Sequence, residues 1–338
     1  MKKRLLAMLM TGAMVASLAA CGGGSSTPAN DTQKDGGDKT SSTSGCSVDV
    51  ILKTTASEYW SYVKAGAEAY SKDNPDVKVE VKGATSETAY DEQQNMIETD
   101  LNSGAYDAFV IAPLQADLVK TLIAGQTAPI VAVDTNIDAP EVLSFVGTGN
   151  EDAAAEGGKA AVEAAKAAGW DKVQAIAISG VQGDGTATAR LTGYEKGVTE
   201  AGGEFLKDEI QYADAVADKA ATSMEAIMQN HPDGVAIIVC NNDDMAMAAA
   251  RAAQGHDAYK NTIFLGFNGD RAACEAILAG QMTMSVAQMA YEMGYKAVET
   301  MVQVLDGETV DEFVDSGSDV VTPDNAQERL DTLKTQLH

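Results

Sequence analysis

Six segments of this chain carry side chains suited to gripping a hydroxyl-rich ligand: residues 53–60, 112–117, 134–136, 180–190, 241–244 and 268–270. They hold planar amides and carboxylates, one guanidinium fork at Arg190, and the aromatic rings of Tyr59 and Trp60. Amides and carboxylates meet hydroxyls by directed hydrogen bonds, a guanidinium donates two in parallel, and a ring face covers C–H groups while excluding water. Groups for bond-breaking chemistry are scarce. The chain has three His, one of them the last residue (His338), so catalysis or metal binding that rests on several imidazoles is excluded. No Gly-x-Ser-x-Gly elbow, His-Glu-x-x-His pair or phosphate-cradling Gly-x-x-x-x-Gly-Lys loop occurs, and Gly183-Asp184-Gly185 lacks the third glycine of a dinucleotide fingerprint. Asn242-Asp243-Asp244 reads either as a calcium cluster or as a helix start whose dipole the acidic residues satisfy without metal. Neither a cofactor, a metal nor an enzymatic activity is expected.

The elements that must position these loops follow from hydrophobic patterning. Short β-branched runs at 48–52, 77–81, 108–111, 130–133 and 143–146 alternate with Ala-rich amphipathic runs at 59–72, 88–102 and 116–125. A helix at 152–168 leads into a second series, with strands at 173–178, 204–211, 234–239, 263–267 and 283–286 and helices at 187–201, 215–230, 244–254 and 272–279. A long helix at 291–305, a strand at 320–321 and a helix at 323–333 close the chain. Strands apolar on both sides imply parallel sheets covered on both faces, so the fold class is α/β with two doubly wound lobes. In such sheets the ligand lies beyond the carboxyl ends of the strands, which is where the six segments fall.

Composition sets the setting. The 338 residues suffice for two domains of about 150 each. Fifty Asp and Glu against 24 Lys and Arg give a formal charge of −26, which disfavours nucleic acid as a partner. Met1 to Arg4 is cationic, and residues 5–20 form an apolar stretch too short and interrupted for a membrane span of about 20 residues, which reads as an export signal over 1–20. Residues 21–45 lack large apolar side chains beyond the opening Cys21 and read as a flexible tether. Cys46, Cys240 and Cys274 show no metal-like spacing; they are either buried small hydrophobes or, for the last two, a disulfide permitted by export.

Two resemblances sharpen this reading. Leu18-Ala19-Ala20-Cys21 followed by Gly22-Gly23-Gly24 resembles the lipobox of bacterial lipoproteins, which implies lipidation at Cys21 and an extracytoplasmic protein anchored to the cell membrane. Further along come Tyr59-Trp60 before Lys64-Ala65-Gly66-Ala67, Val133-Asp134, and residues 185–190 before Gly193-Tyr194. Asn242-Asp243-Asp244-Met245-Ala246, Gly266-Phe267-Asn268-Gly269 and Ala287-Gln288 complete the set. In this order they resemble the periplasmic sugar-binding proteins of ribose-binding type that serve ABC importers, with the type I periplasmic binding protein fold.

The resemblance implies a ligand site between the lobes. Tyr59 and Trp60 would flank a sugar ring, or pack as a helix-start pair on the core. Asp134 would accept from two hydroxyls, or cap a turn. Arg190 would fork onto ring or hydroxyl oxygens; Asn242 and Asn268 would bind, cap, or both; Gln288 would reach the ligand near a crossover. Lys53, Ser57 and Gln115 are weaker candidates. Departures from the family bear on the solute: Asn268 stands where Asp is common, Thr135 where ribose binders have Arg, and Ala112 where Asn is expected, with Gln115 nearby as a substitute. Ribose itself is therefore not implied, and Lys53 suits an acidic or more polar sugar if it reaches the site and is otherwise a solvated strand-end cation.

The lobes implied are 46–148 with about 288–312, and 149–287 with about 313–338, joined by three crossovers near 148–150, 288–289 and 311–317. Ligand bridging both faces would close the hinge, and a permease would distinguish the closed form. The implied partners are a monosaccharide, an ABC permease and the membrane through the lipid, with the protein itself a monomer. A sensor that presents its closed form to a membrane receptor, or a binder of a nucleoside or polyol, uses the same closure and stays open as an alternative.

Overall fold

Four-residue strands with every side chain buried, such as Ala108–Ile111, Ile130–Val133 and Ile237–Cys240, form the centres of two sheets in the computed structural model. The structure describes residues 45–337. The leader, Cys21 and nearly all of the tether lie outside these residues. The first lobe begins with β1 (Cys46–Thr54), α1 (Glu58–Asp73), β2 (Val77–Ala84), α2 (Tyr90–Ser103), β3 (Ala108–Ile111), α3 (Ala116–Ile123), β4 (Ile130–Val133) and β5 (Val142–Gly147). The chain then enters the second lobe with α4 (Asn150–Ala167), β6 (Gln174–Ser179), α5 (Gly185–Glu200), β7 (Glu204–Phe205), β8 (Gln211–Tyr212) and α6 (Ala217–Asn230). That lobe continues through β9 (Ile237–Cys240), α7 (Asp243–Ala253), β10 (Ile263–Asn268), α8 (Arg271–Leu278) and β11 (Met284–Gln288). It returns to the first lobe for α9 (Ala290–Leu305) and β12 (Phe313–Asp315), and ends in the second with β13 (Ser318–Val321) and α10 (Ala326–Gln336).

The first sheet has the order β12-β5-β4-β3-β1-β2 and is parallel throughout. The second runs β13-β11-β10-β9-β6-β7, parallel except for β13, with β8 also paired to β6. In each sheet the winding reverses beside the first strand, between β1 and β3 and between β6 and β9, and such switch points open a crevice at the carboxyl ends. Two helix pairs lie close enough for backbone contact. A Cβ on Gly66 of α1 would fall 1.8 Å from the Tyr291 carbonyl oxygen of α9, and one on Gly197 of α5 would fall 1.9 Å from that of Ala155 in α4.

Two sequence expectations change. The strand at 204–211 is two short pieces, because the charged run Lys207–Glu209 turns as a single 3₁₀ turn between them. Residues 313–315, expected with the second lobe, pair with β5 in the first sheet, so the third crossover falls at Ser316 and Gly317. Cys46, Cys240 and Cys274 are free and buried, so the disulfide alternative is not realised. No helix among the described residues is long and apolar enough to cross a membrane.

Candidate ligand-binding cleft

Asp134 leaves the end of β4 with a positive φ of 63°, a conformation that short polar side chains tolerate best and that turns its carboxylate off the strand line. Oδ1 accepts from the Tyr59 hydroxyl at 2.8 Å; Oδ2 accepts from the Thr135 hydroxyl at 2.8 Å and pairs with Lys53 Nζ at 3.3 Å. Burial alone would raise the carboxyl pKa, but Lys53, Tyr59 and Thr135 outweigh it and hold the group below the ordinary carboxylate value. The Tyr59 phenol is pushed well up, by burial first and then by Asp134. Lys53 does reach the site, yet its charge is neutralised there, which removes the argument for an acidic sugar.

Arg190, in the second turn of α5, is held on three sides. Nε donates to Asn150 Oδ1 at 2.7 Å, Nη1 donates to the Asn241 carbonyl at 2.7 Å, and the guanidinium lies 3.7 Å from the centroid of Phe267. Burial lowers its pKa without removing its charge at neutral pH. Nη2 has no protein partner among the described residues and is free to donate. Beside it, Gln288 Nε2 donates to Asn268 Oδ1 at 2.9 Å while Gln288 Oε1 accepts from the Thr148 hydroxyl at 2.9 Å. This amide joins two crossovers to the loop after β10.

The remaining candidates behave differently. Trp60 is 2% exposed, stands edge-on to Tyr59 at 87°, and donates Nε1–H to Glu87 at 2.8 Å. Perpendicular rings do not make two parallel walls: the Tyr59 hydroxyl meets Asp134, while the Trp60 ring lies under the Lys53 ammonium, 5.7 Å from its centroid. Asn242 is committed as the N-cap of α7: Oδ1 accepts from Met245 N–H at 2.8 Å and Nδ2 donates to the Ala215 carbonyl at 3.3 Å. Ser57 is the N-cap of α1, and its buried hydroxyl makes no capping bond and has no hydrogen-bond partner among the described residues. Gln115 is exposed and lines a shallow surface pocket with Tyr90 and Leu118, apart from the Asp134 cluster. No group of three or more His, Cys, Asp or Glu among the described residues is arranged to hold a metal.

A family model described as a periplasmic binding protein domain matches residues 48–309. The chain belongs to the periplasmic binding protein family. Among relatives of this periplasmic binding protein, the ribose import binding protein RbsB of Escherichia coli is 31% identical over 62% of this chain and 70% of its own length. The D-allose-binding periplasmic protein of the same organism is 28% identical over 75% of this chain and 82% of its own. A carbohydrate transporter solute-binding protein from Agrobacterium radiobacter, solved with D-arabinose, superposes with a TM-score of 0.72 at 26% identity, covering 88% of this chain and all of the other.

Sequence reasoning missed several residues that hold the loops or side chains of this binding protein's candidate site. Gln93 is buried and ties the end of β1 to the loop after β3, donating to the carbonyls of Leu52 and Ala112 and accepting from Leu114 N–H at 2.7 Å. It sits in the first turn of α2, where nothing in the sequence marks it as a loop anchor. Asn150 and Phe267 set the orientation of Arg190 from two other elements. Asp270 lies in a segment singled out from the sequence, two residues beyond the one chosen.

Proposed function

We propose that this chain is the exported, lipid-anchored solute-binding component of an ABC importer, which captures a monosaccharide or related polyhydroxyl solute between its lobes and delivers it by hinge closure. The observation that carries the reading is the two-sided construction of the cleft. The first lobe supplies Asp134 with Tyr59 and Lys53, and the second supplies Arg190 over Phe267 with the Asn268 and Gln288 amides, from the carboxyl ends of strands or the first two turns of the helices that follow. Each half holds polar groups with free capacity but surrounds a ligand only on one side, so affinity depends on both lobes. The relatives that bind ribose, allose and arabinose support a neutral sugar, as does the neutralised Lys53. Lipid attachment at Cys21 rests on the order of cationic start, apolar run, small residues and Cys in the sequence; Cys21→Ser should release the protein from the membrane in fractionation, and continued anchoring overturns it.

The deciding experiment is a melting scan of the protein against pentoses, hexoses, polyols, sugar acids and nucleosides. A ligand at a hundred times its Kd adds about 2.7 kcal/mol, a shift of several degrees for a body of this size. A shift confined to neutral sugars supports the reading. No shift across the panel refutes it.

A further inference from the structure

We propose that Asp270 is a ligand-binding carboxylate of the second lobe, accepting hydrogen bonds from two adjacent hydroxyls of a neutral sugar; this rests on the sugar-binding reading above. The chain leaves β10 through two residues with positive φ, Asn268 at 127° and Gly269 at 66°. Only glycine fits the second position, since a Cβ there would lie 2.3 Å from that of Ala287. The turn is fixed from below by Asp243, which is 1% exposed: Oδ2 accepts the N–H groups of Gly269 at 2.8 Å and Asp270 at 3.1 Å, and Oδ1 accepts from the Ser285 hydroxyl at 2.6 Å. A buried carboxylate thus holds the Asp270 backbone in place.

The Asp270 side chain does none of the structural work its position offers. It is the N-cap of α8, yet its carboxylate makes no capping bond. Its one side-chain partner among the described residues is Asn268 Nδ2 at 3.5 Å, and the adjacent Arg271 is taken by Glu58 of α1. That contact between Arg271 and Glu58 sets the start of α8 opposite the start of α1, the helix that carries Tyr59. The groups around Asp270 are Asp243 and Asp244 of α7, Glu58, Tyr59 and Tyr62 of α1, and Asn268 and Arg271 on its own segment. Burial first, then Asp243, pushes its carboxyl up to about 8, with Asn268 opposing and Glu58 and Asp244 adding. A desolvated carboxylate with open acceptor sites is relieved by hydroxyl donors, and it has room for two.

The test is calorimetric titration of the wild type, Asp270→Asn and Asp134→Asn with D-ribose, D-allose, D-arabinose and 2-deoxy-D-ribose. For the sugar the wild type prefers, Asp270→Asn should weaken binding by about tenfold or more while the melting temperature stays within a degree or so of wild type. Wild-type affinity should also rise with pH up to the Asp270 value and level above it, because hydroxyl donors favour the ionised carboxylate; Asp270→Asn should lose that rise. Wild-type affinity in Asp270→Asn, with Asp134→Asn weakened, overturns the role of Asp270 and leaves the sugar reading standing. No binding of any of these sugars, with a flat melting panel, overturns both. If Asp270→Asn does not fold, Asp270→Ser is titrated in its place, and wild-type affinity in that variant overturns the proposal.

Discussion

Replacing Asp134 by Asn removes one charge from the best-connected point of the cleft without disturbing the backbone, since Asn accepts the left-handed φ of 63° as readily as Asp. Two effects can be sized. A carboxylate has about four acceptor sites; Tyr59, Thr135 and Lys53 occupy one each, which leaves one for a ligand. A single charge-assisted hydrogen bond contributes about 1.5–3 kcal/mol, so affinity should fall about tenfold to a hundredfold. Stability changes through Lys53, which loses its counter-charge. The pair is neither exposed nor fully buried, at 21% and 15%, so the loss lies between the few tenths of a surface pair and the full cost of a buried one, about 1–3 kcal/mol. The sign with pH follows from the lowered pKa of Asp134. Its contribution is complete above the ordinary value of an unfolded Asp and drains away as pH falls through the lower folded value. Urea unfolding of both proteins at neutral and acid pH, with calorimetry of the preferred sugar at neutral pH, reads all three quantities. A stability gap that does not narrow in acid, or unchanged affinity in a stable variant, refutes the reasoning.

Trp60→Ala should destabilise by about 3–5 kcal/mol, because a 2%-exposed indole leaves a cavity; a ligand defect without loss of stability would overturn this. Glu58→Gln removes the ion pair that joins α1 to Arg271 across the cleft. At 33% and 46% exposure the pair is worth at most about 1 kcal/mol, so ligand affinity should fall no more than about fivefold at low salt and match wild type at high salt; a loss that persists at high salt would contradict this. Gly294→Ala, whose Cβ would meet the Val63 carbonyl at 1.9 Å, should lower the melting temperature by several degrees, and a neutral result would mean that α9 can shift away from α1.

The two sheets were legible because each strand is a short apolar run between amphipathic helices, and the crevice was legible because parallel sheets place it at the carboxyl ends of those runs. Asp134 stood out as a charge just past a strand end and Arg190 as a cation near a helix start, and each has partners that orient it. Where sequence reasoning stopped short, the missing information was three-dimensional. Trp60 and Tyr59 are neighbours in the chain, but their rings stand perpendicular, and Trp60 is almost fully buried with its indole tied to Glu87. Asn242 has the residue type of a ligand group and the position of a cap, and the cap prevails because α7 begins there with an unpaired N–H. Phe313–Asp315 was missed as a strand because an edge strand of three half-exposed residues leaves almost no hydrophobic signature.

The backbone contact between α1 and α9 has a consequence for biogenesis. Val63 and Gly66 meet Tyr291 and Gly294 across more than two hundred residues of chain, and β12 completes the same lobe later still. An amino-terminal domain commonly folds while the rest is still being made, but here the amino-terminal lobe is short of a helix and an edge strand until the whole second lobe has emerged. Closing so long a loop is slow. A chain built this way stays threadable through most of its synthesis, and neither lobe cut out as a continuous segment carries its full set of elements.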